Sequence, residues 1–246
     1  MKKNIIKFIP VDDISFIEPV PASKFIPDWY KNAEGYVGGK KAKIKDSPIG
    51  KPTIKKCMPV FDSMTAGYIM FTQVDISFSD EMEYDPFGNE IGNVKYWHYA
   101  SSSEFTKPVT AHDAHQLPDY PGFDDSLGGA GKFEQPFAIK TPKGYSCLFI
   151  NPVHRDSQPF EILEGIVDTD LYHGPINFPF IFKDNRYTGI IPAGTPIAQV
   201  IPFKRESWQM DVDKTDIDQV LMQNKKLHTV WWEGYKRWWW TRKEFK

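Results

Sequence analysis

Cysteine is scarce in this sequence: of 246 residues, only Cys57 and Cys147 carry thiols. Two thiols build no disulfide framework and, unaided, no thiolate metal centre. Each has apolar neighbours (Met58; Leu148 and Phe149), the setting of a free, buried thiol. Long apolar runs are also missing. After the basic start Met1-Lys2-Lys3-Asn4 the first apolar stretch stops at Pro10, too short for a secretory core or a membrane span. The expected setting is therefore a reducing cytoplasm, without secretion. Neither sign of charge dominates: the formal net charge is -2, which argues against a general electrostatic grip on nucleic acid. No repeat of fixed period is visible.

Aromatic residues, by contrast, are abundant, with 18 Phe, 11 Tyr and 8 Trp making up 15% of the chain. Rigid side chains in such numbers suit sheet faces and subunit interfaces. Twenty Pro and 17 Gly punctuate short apolar runs, the pattern of a mainly β protein with many turns. From Val74 the residues alternate, with Val74, Ile76 and Phe78 on one side and Asp75, Ser77 and Ser79 on the other. Period two marks a half-buried strand. Ile176, Phe178, Phe180 and Phe182 repeat the signature. Pro179 within that run removes a ladder donor, which predicts an edge strand or a bulge. Further strands are expected at 5–9, 94–99, 145–150 and 197–203.

At this length one core suffices, and the expectation is a single β-domain over 1–246. Residues 22–33 are expected to hold a short helix or turn carrying Trp29 and Tyr30, and the Gly- and Lys-rich stretch 35–56 an exposed loop. The polar, turn-rich segment of about 80–135 exceeds a simple connection and reads as an insertion with a small sheet of its own. From about 214 to 246 the pattern turns helical. Ile217, Leu221, Leu227, Trp231, Tyr235 and Trp238 fall near one stripe, acids cluster at its start and bases at its end, and Gly234 interrupts it.

Two clusters have both a functional and a plain reading. His112-Asp113-Ala114-His115 has the residue types of a 2-His-1-carboxylate iron site, but it crowds a Pro-flanked loop, where solvated polar residues are the plain reading. No metal is assigned. The cluster around Trp238-Trp239-Trp240 suits a membrane interface, stacking on single-stranded nucleic acid, or packing on its own domain or a neighbouring subunit.

Three places carry a family resemblance. Gly165-Ile166-Val167-Asp168-Thr169-Asp170-Leu171-Tyr172-His173-Gly174 is followed, about thirty residues on, by Ile191-Pro192-Ala193-Gly194-Thr195-Pro196-Ile197-Ala198-Gln199-Val200-Ile201. Upstream stand Thr65-Ala66-Gly67-Tyr68 and Pro142-Lys143-Gly144-Tyr145, each leading into a strand. Together these resemble the dUTPase and dCTP deaminase superfamily. The resemblance implies a β-clip or barrel, to which this chain adds the inserted region and the C-terminal helix read above, and a homotrimer with sites built between subunits. It implies that Asp168 stands where the family orients the attacking water, and that Arg155, Ser157, Tyr172 and Gln199 stand where nucleotide is held, with magnesium if the chain is an enzyme. The family's Tyr directly follows the second Asp, so Leu171 is either a substitution or a one-residue bulge.

The loop His154-Arg155-Asp156-Ser157-Gln158 keeps an Arg and a Ser but places between them a carboxylate that repels polyphosphate. Trp238-Trp239-Trp240-Thr241-Arg242-Lys243 replaces the family's Gly-rich arm, and neither Glu161 nor Glu164 sits in the deaminase context. The chain as a whole, with Lys140-Thr141-Pro142-Lys143-Gly144-Tyr145 and the ending Pro202-Phe203-Lys204-Arg205-Glu206-Ser207-Trp208, also resembles a family of tailed-phage proteins of unassigned activity. The leading expectation is thus a phage-encoded, non-catalytic trimer with a structural or interaction role, in the host cytoplasm or the virion, with no cofactor. The alternatives are a nucleotide pyrophosphohydrolase or deaminase with Asp168 as base, and a module that binds or sequesters nucleotide. Aspartates in a tight turn also have a purely structural reading, as acceptors for nearby amides.

Overall fold

The structure, a computed structural model, describes residues 4–11, 16–41, 48–99, 107–112, 116–117, 120–121, 130–155, 158–184, 186–213, 215–229 and 233–246. The chain gathers into two compact units. Met1–Val20 with Gly67–Arg205 forms the first, and Pro21–Ala66 with Glu206–Lys246 the second.

The first unit is mainly β. Its strands are β1 (Lys7–Pro10), then, after the two-residue β2 (Val20–Pro21) where the chain passes between units, β3 (Tyr68–Phe71), β4 (Ile76–Tyr84), β5 (Glu90–Tyr99) and β6 (Val109–His112). They continue with β7 (Ala130–Phe133), β8 (Phe137–Lys140), β9 (Tyr145–Ile150), β10 (Phe160–Ile162) and β11 (Gly165–Val167). The last are β12 (Phe178–Phe182), β13 (Gly189–Ile191) and β14 (Pro196–Lys204). The central sheet runs β11-β9-β14-β3-β2, a second runs β10-β12-β7-β6, a third β13-β4-β5, and β1 pairs β8.

Phenylalanine dominates the core of this unit. Phe133 stacks on Phe180 with centroids 4.1 Å apart, and Phe160 meets Phe133 edge-on at 4.8 Å. Such pairs add to the burial of their large apolar area. The Phe180 ring needs room on β7: a Cβ at Gly131 would come within 2.2 Å of it. The alternation read from Val74 holds, with Ile76 and Phe78 buried and Asp75 exposed. The strand expected at 145–150 is observed as Tyr145–Ile150, and that at 197–203 as the longer Pro196–Lys204.

Pro179 corrects one expectation. β12 is neither an edge nor bulged; it lies between β10 and β7. The Pro179 carbonyl accepts from Leu163 N at 2.7 Å, just beyond the last β10 residue, Ile162. The missing donor falls where the regular ladder has already ended, so an interior strand tolerates it. The segment of about 80–135 is likewise not wholly an insertion. β4 and β5 do form a hairpin of their own, with β13 at its side. But β6 and β7 belong to the Phe-rich sheet, where Val109 and Phe133 are buried. The polar composition of the segment hides these two short strands.

The second unit contains helices. Residues 22–33 include a 3-10 turn (Ala22–Lys24) and α1 (Asp28–Asn32), which carries buried Tyr30. α2 (Met58–Thr65), not expected from the sequence, starts with Pro59 in its first turn, where a missing N–H costs nothing. The helix expected over about 214–246 is observed as two, α3 (Ile217–Thr229) and α4 (Gly234–Trp238). Glu233 just ahead of α4 takes a left-handed conformation (φ 79°), which ends helical continuity there. Trp231 lies outside the described residues.

Candidate functional site

The resemblance rests on β9, β11 and β14, and the structure places them side by side. β9 pairs antiparallel with β11 (Val167 opposite Cys147) and with β14 (Gln199 opposite Ile150). Asp168, one residue past β11, and Gln199, within β14, therefore belong to one sheet. On the far side of β14, β3 follows Gly67 (φ 70°), whose added Cβ would stand 1.9 Å from the Val200 carbonyl oxygen. Only glycine permits this approach at that dihedral, which gives the Ala66-Gly67-Tyr68 motif its physical reason.

The antiparallel register separates the expected site residues. Asp168 and Tyr172 lie at the Ser146 end of β9; Gln199 lies opposite Ile150 at its other end, and Arg155 beyond that end. The four residue steps from Ser146 to Ile150 hold these ends about 13 Å apart. Within one copy of the chain the structure thus brings together Asp168 with Tyr172, and Arg155 with Gln199, but not the four. Ser157 lies outside the described residues.

At the first end, the aspartates of the D-x-D turn act as a clamp. Arg205, one residue past β14, donates through Nη1 and Nη2 to the two carboxylate oxygens of Asp170, each at 2.7 Å. Asp170 also accepts from Gly144 N at 2.7 Å, and its side chain is only 2% exposed. The Arg205 guanidinium, followed by the Gly144 amide, pulls its carboxyl down to about 2. Asp168 is half-exposed, yet its Oδ1 accepts from Ser146 Oγ at 2.7 Å and faces Arg205 Nη1 at 3.1 Å. Between the two aspartates, Thr169 is fully buried and its hydroxyl lies 2.8 Å from that of Thr141.

Tyr172 folds back so that its hydroxyl donates to the Pro175 carbonyl at 3.2 Å, and its ring lies over Gly174. Leu171 is an exposed turn residue outside any ladder; Leu171 N and Tyr172 N both donate to the Asp168 carbonyl at 2.9 Å. Neither Ser146 nor Arg205 is singled out by the sequence motifs. A base just past the I-A-Q strand, opposite a D-x-D turn, was the available signal.

At the other end, polar side chains organise the loop after β9. Asn151 bonds both the amide and the carbonyl of Ile162, at 2.9 and 3.1 Å. Buried Gln199 accepts from Val153 N at 3.1 Å. His154 adopts φ 57°, unusual for a residue with a Cβ. Arg155 is 7% exposed and donates to the Val153 carbonyl at 3.3 Å. Burial pushes its guanidinium down to about 10, so it stays charged at neutral pH. It lines a cavity of about 650 Å³ together with His154, Gln158, Lys183, Glu161 and Glu164. The two carboxylates oppose polyphosphate there, whereas Arg155 and Lys183 favour it.

His112 sits against Gln116, Nδ1 to Oε1 at 2.7 Å, and residues 113–115 lie outside the description. Among the described residues no three His, Cys, Asp or Glu side chains gather into a metal-holding group, and no helix is long and apolar enough to cross a membrane. Trp240 packs within the second unit, its indole N–H donating to both oxygens of Asp62 at 3.0 and 2.9 Å. No protein-family model matches the chain, and no curated protein matches it.

Proposed function

We propose that the chain is a self-associating, dUTPase-like β-protein with a structural or interaction role, in which the D-x-D turn holds the sheet together instead of performing hydrolysis. The observation that carries this reading is the Arg205 clamp: Asp168 Oδ1 already serves Ser146 and Arg205, and Arg155 stands at the opposite end of β9. Self-association draws support from apolar side chains that are exposed among the described residues. Along 206–213, Trp208, Met210 and Val212 alternate with polar residues and are 87%, 86% and 73% exposed. Every described side chain of α3 is exposed as well, including Ile217, Val220, Leu221 and Leu227. A thirteen-residue helix whose described side chains are all exposed is marginal in water, so burial against further copies is what would stabilise it. A trimer, a phage origin and a place in the virion follow from the resemblance. Sedimentation equilibrium tests the assembly: a mass of three chains, against 28.4 kDa for one, is expected, and a monomer at micromolar concentration contradicts it.

One observation favours a second reading. Because the two halves of the expected site lie at opposite ends of β9, a neighbouring copy could set its Asp168 and Tyr172 beside Arg155 and Gln199 of the first. The chain would then be a nucleotide pyrophosphohydrolase or deaminase using magnesium, or a nucleotide-sequestering module. Magnesium-dependent turnover that Asp168→Asn abolishes is the mark of the enzyme. A rise in melting temperature with deoxynucleotide but no turnover is that of the module.

A further inference from the structure

The second unit contains a cleft of about 960 Å³ whose lining is strongly cationic, although the chain as a whole is slightly acidic. Seven lysine and arginine side chains line it against two carboxylates, Asp62 and Glu244. Both carboxylates are already engaged, Asp62 by Lys243 at 2.7 Å and Glu244 by Lys246 at 2.9 Å. Lys55 spends its ammonium on the neutral carbonyls of Lys31 and Ala33, so its charge is uncancelled. Lys24 and Lys236 are exposed and make no ion pair among the described residues. The apolar part of the lining is aromatic: Tyr30, Phe61, Trp240 and Phe245, with Met58 beside them.

Two features hold this arrangement open. Asp62 on α2 anchors Trp240 through its indole N–H and so fixes one wall. At Gly35 an added Cβ would stand 2.9 Å from Lys56 Cε, so the missing side chain makes room for Lys56 to reach Glu233 at 3.2 Å.

We propose that this cleft binds a small phosphate ester that carries a planar ring, of the size and chemistry of a free nucleotide. The excess of cations calls for a multiply charged anion, and the aromatic walls call for a flat apolar group at its other end. The volume lies within the range of small-molecule sites. Asp62 and Glu244 in the lining disfavour an extended strand, whose successive phosphates would have to pass them. The inference is independent of the Asp168 turn, which belongs to the other unit.

The test is calorimetric titration of the full chain at low salt with four probes: adenosine diphosphate, adenosine, pyrophosphate and a ten-residue oligothymidylate. Adenosine diphosphate is expected to bind at least about tenfold more tightly than adenosine or pyrophosphate, since one charge-assisted contact alone accounts for about that factor. The double variant Lys24→Ala/Lys236→Ala is expected to weaken it at least about tenfold at unchanged melting temperature, both side chains being exposed. Asp168→Asn is expected to leave it unchanged. Absence of adenosine diphosphate binding at millimolar concentration overturns the proposal, as does equal affinity for pyrophosphate or an undiminished affinity in the double variant. Tighter binding of the oligothymidylate overturns the assignment to a free small molecule.

Discussion

Arg205 grips Asp170 with two parallel hydrogen bonds of 2.7 Å, joining the end of β14 to the turn that follows β11. These strands are not neighbours; β9 lies between them. The pair therefore spans the central sheet across one intervening strand, and Ser146 of β9 joins it through Arg205 at 2.9 Å. A bidentate guanidinium–carboxylate contact is geometrically specific, so the turn is positioned by charge as well as by chain continuity.

This clamp makes stability sensitive to acid. The Asp170 carboxyl titrates at about 2 in the folded chain, below its ordinary 3.8. The folded state therefore binds fewer protons than the unfolded one between these values. The contribution is fully present above about pH 4, falls as the pH drops, and is gone below about 2. Melting temperatures recorded from pH 6 to 2 should fall more steeply for the native chain than for Arg205→Met, in which the carboxyl returns towards its ordinary value.

Two glycines are set by backbone and ring approach. Gly131→Ala would push a methyl group into the Phe180 ring and is expected to cost about 1–3 kcal/mol, the range of overpacked cores. Gly67→Ala meets backbone instead of a side chain and does so at φ 70°, so its loss should exceed that of Gly131→Ala. Urea denaturation of both variants measures the order.

Gln199 is fully buried and orients the loop that bears Arg155. Gln199→Leu keeps much of the volume but leaves the Val153 amide without this acceptor, which is expected to cost about 1–3 kcal/mol. Amide hydrogen exchange at Val153 should accelerate relative to the strands on either side.

The two thiols should differ in reactivity. Cys147 is fully buried, and that burial pushes its thiol up to about 11, with the Thr169 hydroxyl partly opposing the shift. Thiolate is the reactive form, so Cys147 should resist a disulfide reagent at pH 8 until the chain unfolds. Cys57, only partly buried, should react first. One fast equivalent followed by one that appears with denaturant is the expected record.

Much of the β-structure was legible because a strand buried on one face writes its period into the sequence, as Val74 to Phe78 does, and because a short apolar run such as Cys147 to Ile150 marks a strand by composition. Its limits are physical too. β6 and β7 are four residues each, and β7 (Ala-Gly-Lys-Phe) shows no alternation at all, so no period stands out against loop composition. Cys147 matched the expected buried thiol, but Cys57 is only partly buried, because apolar neighbours in sequence do not fix what packs over a side chain. Of the site, the shared sheet of Asp168 and Gln199 follows the order of the motifs. The roles of Ser146 and Arg205 do not, since they arise from register: Phe203 opposite Ser146 carries Arg205 just past the ladder to the D-x-D turn.

The most direct test of a structural, non-hydrolytic D-x-D turn is to incubate the purified chain with a panel of deoxynucleoside triphosphates and magnesium, beside Asp168→Asn, and measure released phosphate, pyrophosphate and ammonia. The expected result is no turnover above background in either protein. Turnover by the native chain that disappears in Asp168→Asn, with the variant still folded, would contradict it.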